Sequence, residues 1–132
     1  MFDEKGIAKY GDFGSATLLP PESDLISATV GTAQFLSPEC CDRKLYINSF
    51  IANIIEYNGK AADIWSLGVT LYCLIFNELP FWADTEVGVL EVIHKTDLKL
   101  ALTRNVSEGL KNILLRMLEK DPNKRATLKE LK

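Results

Sequence analysis

Asp12, Thr32, Glu39, Asp63 and Arg125 are the residues of this chain whose types and surroundings could support chemistry. Each also has an ordinary reading. Asp12 stands in Asp12-Phe13-Gly14, which taken alone is a surface turn with a solvated carboxylate. Asp63 opens an apolar run, where a carboxylate suits the positive end of a helix dipole. Glu39 and Arg125 are of types that usually stay in water. Thr32, like Ser23, Ser27 and Thr29, is a hydroxyl in a stretch rich in loop residues. His94 is the only histidine and has no cysteine or histidine near it in sequence, so a surface or capping role is expected and a tetrahedral zinc site is not. Cys40, Cys41 and Cys73 have no metal-ligand spacing and read as free thiols of a reducing compartment, cytoplasm or nucleus. Asn105-Val106-Ser107 matches a glycosylation acceptor, but no signal core supports its use.

The elements that must position these residues are mostly helical. Residues 7–10 read as a short strand, with Asp12-Phe13-Gly14 as the turn out of it. Residues 15–30 contain Pro20-Pro21 and no sustained period, so they read as a long loop. Ile47, Phe50, Ile51, Ile54 and Ile55 form one stripe of an amphipathic helix that Asn58-Gly59 should terminate. That helix is either an insertion packed on the body of the protein or a docking surface for a partner. Residues 61–77 are apolar nearly all round, as in a helix buried on every side. Asp84 can cap a helix over 85–95 that buries Val89, Val92 and Ile93. Ser107 can cap another, with Leu110, Ile113, Leu114, Met117 and Leu118 as its stripe. Thr127 and Glu130 have the spacing of a capping box. A helix start followed by so little chain leads us to expect a piece of a longer domain.

Three motifs occur in a telling order. Asp12-Phe13-Gly14 is followed by Gly31-Thr32-Ala33-Gln34-Phe35-Leu36-Ser37-Pro38-Glu39 and by Asp63-Ile64-Trp65-Ser66-Leu67-Gly68, with Arg125 in Asp121-Pro122-Asn123-Lys124-Arg125 near the end. Together they resemble the activation segment and C-terminal helical lobe of a eukaryotic Ser/Thr protein kinase over nearly the whole chain. The look of 67–73 and the long interval before Asp63 are most similar to the calcium/calmodulin-dependent protein kinase kinases. The resemblance implies a mainly α fold, divided into an activation segment at 6–39, an insertion at 40–60 and the helical lobe at 61–132. It implies ATP-dependent phosphorylation of protein Ser/Thr, with ATP and Mg2+ as cofactors. A non-catalytic kinase remnant acting as a binding module is the alternative.

By the same resemblance, Asp12 is the magnesium ligand, Phe13 an apolar plug that fixes it, and Gly14 the residue that permits the turn. Thr32 belongs to the loop that receives the substrate and favours Ser/Thr over Tyr. Ala33 and Ser37 stand where Pro and Ala are common, and neither removes a required group. Glu39 and Arg125 correspond to a buried ion pair, and Asp63 to the carboxylate that supports the catalytic loop from below. Thr29 is the candidate phosphosite. The partner expected is a protein substrate, with another kinase among the candidates. No glycine-rich loop, nucleotide lysine or His-Arg-Asp motif precedes Asp12 in these 132 residues. An N-lobe and catalytic loop are therefore expected from a longer chain, and this segment alone is expected to be inactive.

The net charge of −3, with basic residues spread through the chain, argues against nucleic acid as a partner and offers little to a membrane surface. The longest apolar stretch, 69–76, is too short to cross a bilayer.

Overall fold

The computed structural model describes residues 3–27, 31–45, 56–98 and 105–132, with side chains from 43 to 45 left aside. Four α-helices and one two-stranded antiparallel sheet carry the described fold: α1 (Pro38–Leu45), α2 (Gly59–Phe76), α3 (Glu86–Lys95), α4 (Glu108–Met117), β1 (Leu25–Ile26) and β2 (Tyr57–Asn58). Short 3-10 turns at Phe13–Ser15 and Ala33–Phe35 complete it. The mainly helical class expected from the sequence is the class observed.

The helix boundaries follow from local chemistry. Pro38 opens α1, where its fixed φ suits the first helical position and its missing N–H costs nothing. Asn58 begins α2: its side-chain oxygen accepts from the Ala61 N–H at 2.9 Å. An Asn-Gly pair reads equally well as a stop or as a cap, and here the cap prevails. α2 closes at Asn77, which takes the left-handed conformation at φ 59 and donates its N–H to the Cys73 carbonyl at 2.8 Å. Thr85, not Asp84, caps α3 by accepting from Gly88 N–H, and Ser107 caps α4 as expected.

α2 is the centre of the fold. Trp65, Val69, Tyr72 and Phe76 are buried, and Trp65 stacks on Phe81 with centroids 5.6 Å apart and planes 9° from parallel. A Cβ on Gly68 would come within 3.0 Å of Met117 Cβ and Leu118 Cδ2, so glycine is what lets α2 approach α4. α3 buries Val89, Leu90 and Ile93, leaving Val92 half-buried, and packs on α1. On α4, Leu114 and Met117 are buried, whereas Ile113 is exposed.

Cover on α2 is one-sided. Leu67 is 51% exposed and Leu74 is 73% exposed, so a helix apolar all round is sealed on only part of its circumference. By length and apolarity alone α2 reaches the level of a membrane span, but the interior stacking of Trp65 and Tyr72 is that of a core helix.

The strand expected at 7–10 does not form beyond a single bridge at Ala8. The local backbone folds on Asp3 instead: the Asp3 carboxylate accepts from the Lys5 and Ile7 N–H groups, and the Asp3 N–H donates to the Ile7 carbonyl. The loop expected at 15–30 does contain a strand, β1, whose partner β2 is more than thirty residues away. At 127–130 the capping-box pair makes a turn, with Glu130 accepting from the Thr127 N–H at 2.8 Å. The stripe from Ile47 to Ile55 lies outside the described residues.

Candidate active site

Glu39 and Arg125, 86 positions apart, meet in a bidentate pair. Arg125 donates from Nη1 to Glu39 Oε1 at 2.7 Å and from Nη2 to Oε2 at 2.9 Å. The Arg125 side chain has no exposed surface and that of Glu39 is 14% exposed, so neither is the solvated charge that its type would suggest. Burying a guanidinium is costly unless its donors are satisfied. Here the remaining donors reach the carbonyls of Glu119, Ala61 and Lys120, and the guanidinium carbon lies 5.2 Å from the centroid of the Trp65 ring. Arg125 can do this because the Asp121 carbonyl accepts the N–H groups of Lys124 and Arg125, curling the backbone behind it. The Asp121 carboxyl is held below its ordinary range, chiefly by the Asn123 N–H. The pair thus joins the start of α1 to the start of α2 and to the turn after α4.

Asp12 and Asp63 line a common depression of about 380 Å³, whose walls include Ser37, Cys40, Tyr57 and Ser66. Asp12 occupies the left-handed region at φ 60, ψ 63, so it, rather than Gly14, takes the unusual conformation of the turn. Phe13 is 70% exposed and plugs nothing among the described residues. Asp63 is an exposed residue without a hydrogen bond or ion pair among the described residues, and loss of hydration in the depression pushes its carboxyl above the usual range. Thr32 lies elsewhere, on a second depression of about 320 Å³ shared with Trp82 and Asp84. Asp12 and Asp63 are therefore brought together, and Thr32 opens onto separate ground. Thr29 lies outside the described residues.

The open Asp12 carboxylate, beside hydroxyls of the same walls, suits a hard cation that keeps part of its shell for substrate and water. No described group of three or more His, Cys, Asp or Glu side chains forms a metal cage, and among the described residues no basic side chain lines this depression to meet phosphate charge. Asp12 fits magnesium as one ligand of several; phosphate recognition needs cations from outside the described walls.

The sequence pattern passed over several contributors. Ser66 donates to the Phe35 carbonyl at 2.9 Å, tying α2 to the turn after Thr32. Lys60 pairs with Asp24 at 2.6 Å. His94 comes within 3.2 Å of Asp42, linking α3 to α1. Ser66 sits in the motif around Asp63 and was open to discovery there; the other pairs join residues with no local signal between them.

The protein kinase domain model matches residues 1–132, the entire chain. The chain belongs to the protein kinase family. It is 34% identical over 131 residues to the serine/threonine-protein kinase GRIK2 of Arabidopsis thaliana, covering 99% of this chain and 30% of the relative. It is 38% identical over 131 residues to the serine/threonine-protein kinase ppk34 of Schizosaccharomyces pombe, covering 99% of the chain and 34% of that protein. The calcium/calmodulin-dependent protein kinase kinase cmkC of Emericella nidulans is 35% identical over 127 residues, with 96% and 22% covered. The chain thus spans about a fifth to a third of the length of these kinases. Ser/Thr kinases, including one named as a kinase kinase, are the relatives that the motif order led us to expect.

Proposed function

We propose that this segment serves ATP-dependent phosphorylation of protein Ser/Thr hydroxyls as part of a complete kinase domain. The observation that carries the reading is the convergence of Asp12 and Asp63 on one depression. The segment between them is anchored at Glu39 by Arg125. Bound ATP and Mg2+ would supply the transferable phosphoryl group and neutralise its charge. Asp12 would offer a carboxylate oxygen to the metal. Asp63, with no partner among the described residues, would accept hydrogen bonds from a segment lying in the depression. Thr32, on the rim of the second depression, would meet the substrate chain beside the acceptor residue. The name of the Emericella relative supports another kinase as the substrate class. Three free cysteines support a reducing compartment, cytoplasm or nucleus.

The test is phosphate transfer from labelled ATP by the full-length protein, with the phosphorylated residue identified chemically. Transfer to Ser or Thr that falls to background in Asp12→Ala is expected, and the 132-residue segment alone should transfer none, because positioning groups essential to the reaction are outside it. Undiminished transfer by the Asp12→Ala enzyme would overturn the role given to Asp12. Transfer confined to Tyr would overturn the specificity.

A further inference from the structure

The depression holding Asp12 and Asp63 has one wall made of sequence-distant backbone. β1 pairs with β2 in the register Leu25 with Asn58 and Ile26 with Tyr57. Just before β1 the Asp24 carbonyl accepts the Gly59 N–H at 2.8 Å, and the Asp24 carboxylate meets Lys60 Nζ at 2.6 Å. Ser23 Oγ accepts from the Leu25 N–H and shapes the approach. Ile26 is half-buried against the core, and its Cδ1 would be 3.2 Å from a Cβ placed on Gly59. Glycine at the first position of α2 is thus what lets this strand lie flat. Ile26, Tyr57 and Gly59 all line the depression, and so does Cys40, which is only 3% exposed.

We infer that residues 23–26 form a latch, fastened to the N-terminus of α2 by Asp24 and Lys60, that closes this side of the depression. Among the described residues, two ladder residues, one further backbone hydrogen bond and one exposed ion pair are few fastenings, and such segments open at far lower cost than the core. The Glu39–Arg125 anchor reaches the same first turn of α2, through the Ala61 carbonyl, but uses none of these contacts. Opening the latch uncovers the wall that contains Cys40 while leaving Cys41, deeper in the core, sealed. The latch rests on the proposed function only for the meaning of the depression it closes. Its test reads thiol access and needs no nucleotide, so the two can fail separately.

The experiment is iodoacetamide labelling of the purified chain, with the rate at each cysteine followed by mass spectrometry. Lys60→Glu, which sets two carboxylates against each other, should raise the Cys40 rate by about two- to fivefold, the range open to an exposed pair. The swapped pair Asp24→Lys with Lys60→Glu should return it to the wild-type rate. Gly59→Val should raise it independently of charge, by pressing on Ile26. Cys41 should stay slow throughout, and the fluorescence of buried Trp65 should hold. A Cys40 rate unchanged in both Lys60→Glu and Gly59→Val overturns the latch. So does a swapped pair as reactive as the single variant, or a Cys41 rate that rises in step with Cys40.

Discussion

Two charged sites in this chain are built in opposite ways. At Glu39 and Arg125 both side chains are withdrawn from water, and every guanidinium donor finds a carboxylate or carbonyl. At the turn containing Asp12 the carboxylate is open, Phe13 faces solvent and the backbone sits in a conformation that non-glycine residues seldom take. One site holds the molecule together, and the other is left available. The contrast shows that kinase-type residues divide into those with partners among the described residues and those with none there.

The sharpest way to break this contrast is at the anchor. Arg125→Ala should cost about 3–5 kcal/mol, because it strands a buried carboxylate and opens three carbonyls. Urea denaturation reads this directly, and a loss below about 1 kcal/mol would put the pair among ordinary surface bridges. Replacing both partners with apolar side chains should recover only part of the loss, since the carbonyls of Glu119, Ala61 and Lys120 stay unpaired.

A second comparison concerns the two sides of α2. Leu67→Glu with Leu74→Glu should lower binding of a hydrophobic dye and favour the monomer in sedimentation, with little change in the far-ultraviolet spectrum. Equal dye binding before and after would mean that the exposed face contributes no accessible patch. A smaller effect is expected at Asp63. Partial loss of hydration in the depression raises its folded-state pKa, an effect its exposure keeps small, so the ionised carboxylate weakens the fold only slightly at neutral pH. Asp63→Asn should therefore raise the melting temperature near neutrality. The gain should vanish as pH falls below the ordinary carboxylate range, where wild-type Asp63 is protonated in both states. A gain that persists in acid would point to something other than charge. The smallest effect belongs to Asp12→Ala, expected within about 0.5 kcal/mol of wild type because the carboxylate has no described structural partner. A larger loss would show that the open turn also supports the fold.

Legibility in the sequence followed the reach of the interactions. The helix over 86–95, the Ser107 cap and the stripe of α4 are short-range patterns, and they emerged within one or two residues. The motif order around Asp12, Thr32 and Asp63 carried the family. One local pattern can serve two ends: Asn58-Gly59 reads as a terminator, and in the fold the Asn58 side chain caps α2. The strand expected at 7–10 reduces to a single bridge at Ala8, with no strand beside it among the described residues, and the loop at 15–30 gained one from Tyr57 and Asn58.

By itself, then, the sequence determined the helical class, the family and the residues able to carry charge into a site, because periodicity, capping and motif spacing are written in adjacent positions. Only the tertiary structure decided which charges are buried and which are open. It set Arg125 over Trp65 between three backbone carbonyls, joined Asp24 to Lys60, and left one face of α2 uncovered. Burial and pairing depend on what arrives from elsewhere in the chain, and no local pattern records that arrival.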